Sequence, residues 1–269
     1  MSGIWPGSTR CAVFLTFDLD GISALLNRDP ELINRPSMVS RNEFGLNVGA
    51  MRILNVLDKY GLPATFFIPG YTAENNEDIV KEIARRGHDI GHHGYLHEPA
   101  ATLEPEEEKE ILEKGIQILE GITGQRPYGY RSPSLDLSRH TIEFLIDHEF
   151  LYDSSMMGND APHFVDAPNG RIVEFPNDWA QGDAHYYSYN RGAGAMNTPQ
   201  EVYKAWEWEF DGAYEYGSAL ILNIHPHTTG RLAKMMVFER LMKYIKGHSD
   251  VEFYRCIDVA RAWTNQGLR

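Results

Sequence analysis

Residues 11–21 read CAVFLTFDLDG, and this stretch decides how the rest of the sequence is interpreted. Residues 11–17 form a short, continuous apolar run, which is typical of a buried strand. Two acids, Asp18 and Asp20, follow this run directly. Because α/β barrels place their active sites at the carboxyl ends of the strands, the pattern predicts a functional site where this strand ends.

Strand-like and helix-like segments alternate along the rest of the chain. Apolar runs predict strands at residues 64–68, 88–91, 173–175 and 218–224, and residues 251–254 and 256–263 close the chain. Helical spacing predicts helices at residues 48–60, 76–86, 103–122, 138–148, 198–216 and 231–245. Repeated β–α units imply a parallel sheet with crossover helices. The even spacing, and the polar motifs that follow strands, favour a barrel over an open sheet, and we expect residues 1–269 to form a single α/β domain.

Composition excludes several classes of protein. Hydrophobic residues make up 42% of the 269, which is enough to build a core and argues against disorder. The chain has 25 Lys and Arg against 38 Asp and Glu, a formal charge of −13. Phosphate backbones are held by clustered cations, so we expect no nucleic-acid partner.

The ends of the chain and its cysteines predict a cellular location. Cys11 and Cys256 lie in apolar segments and are too few for a disulfide framework, so we expect two buried, reduced thiols. Residues 1–17 lack the basic region, apolar core and cleavage site of a signal peptide. No run of about 18 apolar residues occurs, so we expect no membrane partner. The sequence predicts a soluble cytoplasmic protein.

Residues 87–97, GHDIGHHGYLH, hold four of the 11 histidines. His93 and His97 are four residues apart, so one helical turn would place both imidazoles on one face, as a metal ion requires. His88 and His92 have the same spacing. Because His88 falls inside a predicted strand, we favour the pair His93 and His97. Together with Asp20, they would bind Zn²⁺, the expected ion, or another divalent transition metal.

Two further motifs follow strand-like segments. His225 and His227 come after the apolar run at residues 218–224, and one of them would point into the mouth of the barrel. A histidine whose pKa is near neutral suits a general acid. Arg131, in the segment YRSPS at residues 130–134, could orient a carboxylate through a bidentate hydrogen bond.

Taken in this order, the motifs resemble the polysaccharide deacetylase superfamily, the metal-dependent nodulation-type deacetylases, over roughly residues 5–263. The resemblance implies a distorted (β/α) barrel with fewer than eight regular strands. It also implies a metal-dependent hydrolase of non-peptide C–N amide bonds, typically of an N-acetyl group on a sugar or on peptidoglycan. Asp20, His93 and His97 are similar to the metal ligands, Asp18 to the general base, and Arg131 to the arginine that orients this base.

The resemblance extends to residues around the predicted metal site. His225 resembles the general acid that protonates the leaving nitrogen, and Asp153 resembles an acid that lies near the active-site histidine. We assign Tyr95, Ser134 and Trp179, which lie in or near these motifs, to substrate binding.

The sequence also departs from the common family pattern. Leu19 separates the two aspartates, as in a subset that includes peptidoglycan-deacetylase-like proteins, and the segment RSPSL lacks an aromatic residue seen in many chitin and peptidoglycan deacetylases. Residues 175–179 and 230–263 resemble the cyclic imide hydrolase and allantoinase branch. Small cyclic imides or ureides are therefore the alternative substrates. Metal-independent allantoinases have lost ligands that this chain keeps, so we expect a metal-dependent mechanism.

Other interpretations remain open at this point. A metal-binding module without catalysis would not need Asp18 or His225. A glycoside hydrolase would use Asp18 and Asp20 as its acid pair. Residues 178–197 lack periodicity and predict a long loop that gates the site. Within it, the aromatic residues of 185–189 could roof the site or contact a second subunit in a homo-oligomer.

Overall fold

The computed structural model describes Trp5, residues 9–187 and residues 195–265. The strands are β1 (Cys11–Asp18), β2 (Thr65–Ile68), β3 (Asp89–His92), β4 (Gly129–Tyr130), β5 (Tyr152–Asp153), β6 (His163–Ala167), β7 (Gly170–Glu174), β8 (Ala219–Ile224) and β9 (Val251–Tyr254). The helices are α1 (Ser23–Arg28), α2 (Pro36–Phe44), α3 (Ala50–Tyr60), α4 (Gly70–Asn75), α5 (Glu77–Arg85), α6 (Pro105–Thr123), α7 (Thr141–Asp147), α8 (Asp183–Tyr187), α9 (Pro199–Tyr216), α10 (Pro226–Thr229), α11 (Leu232–Ile245) and α12 (Cys256–Asn265).

One curled sheet contains all of these strands, in the order β6-β7-β5-β4-β3-β2-β1-β8, with β9 paired to the first half of β1. All pairs are parallel except the antiparallel hairpin of β6 and β7. Within the described residues, six of the parallel strands have four or more residues, whereas β4 and β5 have two each. The architecture is the predicted α/β fold, a distorted (β/α) barrel with fewer than eight regular strands.

The alternation of side chains along β1 divides the core into two layers. Val13, Leu15 and Phe17 point outward and pack in the layer that also contains the buried residues of α3, α9 and α11. Ala12 and Phe14 point inward, where Phe14 meets Phe175 edge to face with ring centroids 5.0 Å apart. Because successive side chains of a strand point to opposite faces, a continuous apolar run is what a strand covered on both faces requires.

The gap between β8 and the β5–β7 side of the barrel is bridged by polar contacts. Gly182 forms an isolated bridge with Asn223 of β8, and the Asn223 amide donates to Asn177 Oδ1 over 3.5 Å. Asn177 in turn donates to the carbonyl of Ser154 over 2.6 Å. These contacts draw the segments after β5 and β7 toward the end of β8, where the polar motifs converge.

The predicted elements agree with most of the structure, but the segment at residues 178–197 differs from the expected plain loop. It contains a 3₁₀ turn at Trp179–Gln181 and the helix α8, and its residues 188–194 lie outside the described residues. Both cysteines are buried free thiols, and burial raises the pKa of Cys11 to about 12. No helix in the described part of the chain is long and apolar enough to cross a membrane.

Candidate active site

Asp18 and Asp20 lie together at the carboxyl end of β1. The two-residue period of a strand continues past its last residue, so both aspartates face the barrel interior while Leu19 packs among the outer apolar residues. Asp18 is 3% exposed and Asp20 6%. Gly21 ends the segment with φ +58°, and a Cβ there would lie 2.8 Å from a Leu46 methyl group, so glycine is required for the turn.

Two histidines complete a cluster of three ligand atoms around Asp20. His93 Nε2 lies 3.6 Å and His97 Nε2 3.8 Å from Asp20 Oδ1. The chosen ligand atoms of all three residues fall within 4.8 Å of one another. The main chain holds Asp20 in place, because Thr72 and Ser23 both donate their hydroxyl groups to its carbonyl oxygen.

The chemistry of this cluster fits a divalent metal ion. Asp20 Oδ1 is buried and has no hydrogen-bond partner among the described residues. His93 Nδ1 lies 2.7 Å from the carbonyl of Arg131 and must donate to it, which leaves the lone pair of Nε2 directed at Asp20. Burial lowers the pKa of His93 to about 4, so the imidazole is neutral, as a metal ligand must be.

The loop that carries the two histidines is not the predicted helical turn. Strand β3 ends at His92, and residues 93–99 form a loop in which Gly94 and His97 have φ of +70° and +66°. The Glu98 carboxylate accepts hydrogen bonds from the backbone of Tyr95 and Leu96, in place of helical bonds. The rings of His93 and His97 therefore meet at 87°, with centroids 4.9 Å apart.

The second histidine pair lies elsewhere. His92 is fully buried and its ring stacks on Tyr130. The His92 ring faces the outer helix α6, because a Cβ added to Gly115 of that helix would lie 2.0 Å from His92 Nε2. His88 precedes β3 and packs against Phe66. The alternation along β3 sends His92 outward and His93 inward, which decides between the two pairs that spacing left open.

Arg131 binds Asp18 in a fully buried ion pair. Its Nη1 donates to Asp18 Oδ1 over 2.7 Å. Its Nε and Nη2 donate to the carbonyl and hydroxyl oxygens of Ser154 over 2.9 and 2.7 Å. The guanidinium group also lies 4.2 Å from the centre of the Phe67 ring. With every side of the guanidinium held, Arg131 fixes the direction in which Asp18 presents its free oxygen.

His225 follows β8 and faces both aspartates. Its Nε2 lies 3.9 Å from Asp18 Oδ2 and 3.9 Å from Asp20 Oδ2. On the other side of the ring, Nδ1 donates to Asp183 Oδ1 over 2.7 Å. Burial opposes protonation of His225, but the negative charge of Asp183, with the hydrogen bond to it and the charges of Asp20 and Asp18, raises its pKa to about 10.

Asp183 is the acid that contacts His225, whereas Asp153, which the resemblance places beside that histidine, makes its contacts elsewhere. Asp183 is fully buried at the start of α8 and also accepts from the His225 backbone and from Thr229 Oγ1. Asp153 instead accepts from Ser155 and pairs in register with Glu174 of β7. Asp183 lies in a segment without periodicity, so no spacing or motif identified it.

The three residues predicted to bind substrate lie in different surroundings. Trp179 is 60% exposed and stacks on His185, whose pKa is lowered by burial and then by the charge of His225, so this aromatic pair borders the site. Ser134 is exposed on a turn after Arg131.

Tyr95, the third residue predicted to bind substrate, packs against the helices outside the cluster. Its hydroxyl donates to Glu74, and Lys114 lies 3.2 Å from its ring centre. Glu74 belongs to α4 and Lys114 to α6, so these contacts hold the Tyr95 ring against the outer helices. The residue follows His93 in the sequence, but its side chain leaves the cluster.

Known proteins share both the sequence and the fold. A sequence model of the polysaccharide deacetylase family matches residues 9–152. A peptidoglycan deacetylase of Helicobacter pylori is 28% identical over 254 residues, covering 84% of this chain and 87% of its own length. A solved structure of a candidate polysaccharide deacetylase from Mycobacterium smegmatis is 35% identical, covers 98% of this chain and 94% of its own, and superposes with a TM-score of 0.95.

An allantoinase structure, that of PuuE, is also similar, at 25% identity and a TM-score of 0.85, with 97% of this chain and 92% of its own covered. The match of the family model extends over more than half of the chain and includes β1 to β4, with Asp18, Asp20 and the histidine loop. On these grounds, the chain belongs to the polysaccharide deacetylase family.

Proposed function

We propose that this chain is a metal-dependent amidohydrolase that removes N-acetyl groups from sugar or peptidoglycan substrates, and that residues 1–269 act as one catalytic domain. The observation that carries the proposal is the convergence of Asp18, Asp20 and His225 Nε2 within 3.9 Å, beside the histidine pair. Family membership supports the same class of reaction, the hydrolysis of C–N bonds other than peptide bonds.

Asp20, His93 and His97 are the residues that would hold the ion. When bound, a divalent cation such as Zn²⁺ would polarise the amide carbonyl and lower the pKa of a water molecule. Asp20 is suited to this role, because burial alone would raise its pKa but the neighbouring imidazole groups of His97, His225 and His93 lower it to about 2. The carboxylate is therefore ionised at neutral pH.

The remaining residues supply proton transfer on opposite sides of the scissile bond. Asp18, oriented by Arg131, accepts the proton of the attacking water. His225 donates a proton from Nε2 to the leaving nitrogen, and Asp183 supports it by accepting from Nδ1. The products are acetate and a free amine, so the atoms and the proton balance.

A panel of substrates tests the proposal. We expect purified protein with added Zn²⁺ to release acetate from N-acetylglucosamine oligomers or peptidoglycan fragments, and a chelator to abolish the release. Succinimide-like rings and allantoin test the alternative, cyclic imide or ureide hydrolysis, which the similarity to PuuE favours. Hydrolysis of the rings without acetate release would overturn deacetylation, and activity that survives full chelation would overturn metal dependence.

The metal ligands are tested separately by metal content. We expect His93→Ala and His97→Ala each to lose stoichiometric metal after dialysis, because each removes one of three protein ligands. His88→Ala is the matched control, since His88 packs against Phe66 outside the cluster. A full complement of metal in both ligand variants would show that the assignment is wrong.

A further inference from the structure

Asp153 and Glu174 form a buried pair of carboxyl groups beside the catalytic cluster. They are register partners on the parallel strands β5 and β7, and both are fully buried. Asp153 Oδ1 accepts from the Ser155 hydroxyl over 2.7 Å. Glu174 Oε1 accepts from the backbone of Ser155 over 3.0 Å and of Met156 over 2.9 Å.

The second oxygen of each group has no donor in the described residues. Asp153 Oδ2 and Glu174 Oε2 are both buried without a hydrogen-bond partner. Two ionised carboxylates can only accept, so two neighbouring groups satisfy both oxygens only if one is protonated and donates to the other. Burial raises the pKa of Asp153, and burial together with the charge of Asp153 raises the pKa of Glu174 well above its ordinary value.

The pair is connected to Arg131 through the turn at residues 154–156. Glu174 holds the backbone of this turn, and Asp153 holds the hydroxyl of Ser155, which itself accepts from the backbone of Ser132 over 2.9 Å. Ser154, inside the same turn, accepts two hydrogen bonds from Arg131. Any shift of the turn therefore moves the guanidinium group that contacts Asp18.

We propose that Asp153 and Glu174 share one proton and act as positioning residues, fixing the turn that aims Arg131 at Asp18. The proposal rests on the proposed function, since it concerns the base of that reaction. Neither residue touches the reacting atoms. Asp153 is thus proposed to act on Asp18, through the turn and Arg131, and not on His225.

The charged groups around the pair determine its pH dependence. Burial opposes ionisation of Asp153, whereas the hydrogen bond with Glu174 and the charge of the Arg131 guanidinium favour it. Tyr130 of β4 also faces the pair, and the charge of Asp153 contributes to its raised pKa. Because the folded protein holds a proton that the unfolded chain releases, the stability that this proton provides is complete at acidic pH and decreases as pH rises toward the raised pKa of Glu174.

Glu174→Gln is the decisive variant, since the Gln amide donates to Asp153 at every pH and replaces the shared proton. We expect its unfolding constant, relative to that of the wild-type chain, to decrease by up to about tenfold per pH unit above the ordinary pKa of Glu. Its infrared spectrum should lack a protonated-carboxyl band that the wild type shows at neutral pH. Equal pH dependence of both proteins, or absence of the band from the wild type, would overturn the shared proton.

Activity and structure test the positioning role. We expect Glu174→Ala to lower kcat about tenfold or more, and Glu174→Gln to stay within about threefold of the wild type, with KM little changed in both. Asp166→Asn, at a 75% exposed carboxylate on β6, is the control and should match the wild type.

A crystal structure of Glu174→Ala decides the role even if no substrate is hydrolysed, so failure here is distinguishable from failure of the proposed function. We expect the contacts between Arg131 and Ser154 to be lost or lengthened. If Glu174→Ala does not fold, Ser155→Ala provides the same measurement, because it removes the hydroxyl group that joins Asp153 to the backbone of Ser132. Unchanged geometry of Arg131 in a folded Glu174→Ala, or a Glu174→Gln as inactive as Glu174→Ala, would overturn the positioning role.

Discussion

Asp18 and Asp20 differ in their partners although they are two residues apart on one face. One carboxylate oxygen of Asp18 accepts a hydrogen bond from Arg131. Asp20 Oδ1 instead faces the imidazole nitrogens of His93 and His97. A carboxylate held by an arginine keeps its direction, and a carboxylate facing two imidazole nitrogens is suited to a cation. The different partners of Asp18 and Asp20 therefore suit these two chemically identical side chains to different roles.

Asp18→Asn tests this division. We expect kcat to fall by about 10²–10⁴-fold, because an amide cannot accept the proton of the attacking water. Metal content, measured after dialysis, should remain stoichiometric, because Asp18 is outside the ligand cluster. Wild-type activity in this variant would contradict the assignment of Asp18 as the base, and loss of the metal would show that it is a ligand.

Asp183→Asn tests the support of His225. Removal of the negative charge should lower the pKa of His225 from about 10, so the alkaline limb of the pH profile of kcat/KM should move to lower pH. The stability that protonated His225 gains from Asp183 is complete below the ordinary pKa of histidine and is lost as pH rises toward 10. The wild type should therefore exceed the variant in melting temperature most strongly at acidic pH, measured on the metal-free proteins. An unshifted profile would contradict the prediction.

At the scale of elements, the turn after β8 depends on a close approach of two backbones. A π-helical turn, Gly45–Gly49, precedes α3 and packs against α10, which begins directly after His225. A Cβ on Gly49 would lie 2.2 Å from the carbonyl oxygen of Pro226, and one on Gly230 would lie 2.4 Å from Gly49 Cα. The position of His225 is therefore set by how closely these two segments can pack.

Gly49→Ala tests this contact. We expect a loss of about 1–3 kcal/mol in unfolding free energy, measured by urea denaturation, and a reduced kcat as the turn with His225 shifts. Gly212→Ala on α9 is the matched control: apart from the backbone of its own helix and its chain neighbours, no atom lies within 4 Å of the added methyl group, so its stability should be unchanged or up to about 1 kcal/mol higher. Equal unfolding free energies of the two variants would show that the two segments can move apart without loss of stability.

At the scale of the whole molecule, the site draws on distant parts of the chain. Its residues lie at or just after the carboxyl ends of β1, β3, β4 and β8, and Asp183 comes from the segment between β7 and α9. A ligand that binds only this assembled arrangement stabilises the entire fold. The acidic groups at the site, inside a chain with a net charge of −13, make a cation the natural ligand of this kind.

We therefore expect metal removal to lower the stability of the whole fold. With Zn²⁺ at about 100 times its Kd, we expect about 2.7 kcal/mol of added stability. For a chain of this size, this corresponds to a rise of about 5–10 °C in Tm by calorimetry. His93→Ala should abolish most of the shift, whereas the outward-facing His88→Ala should retain it. No shift in the wild type at saturating metal would contradict binding at this site.

Local sequence patterns were sufficient to predict the fold class and most members of the cluster. Apolar runs and helical periodicity are local properties, so the parallel β–α architecture and the positions of Asp18, Asp20, Arg131 and His225 at strand ends followed from them. The predicted strand that contains His88 was enough to favour the pair His93 and His97, but the loop that carries this pair and the partner of each candidate catalytic group could not follow from spacing. Those features depend on which face of β3 each histidine occupies and on contacts between residues far apart in sequence.

Asp183 is the clearest case of a contact that depends on tertiary structure. It meets His225 across 42 positions of sequence, in a segment whose pattern gives no sign of a role. The family resemblance places Asp153 beside that histidine, but in the structure Asp153 is the register partner of Glu174. Local sequence fixes periodicity and the ends of elements, because these depend on short-range hydrogen bonds and burial. The pairing of side chains depends on how the barrel closes, which brings together groups that no local pattern relates.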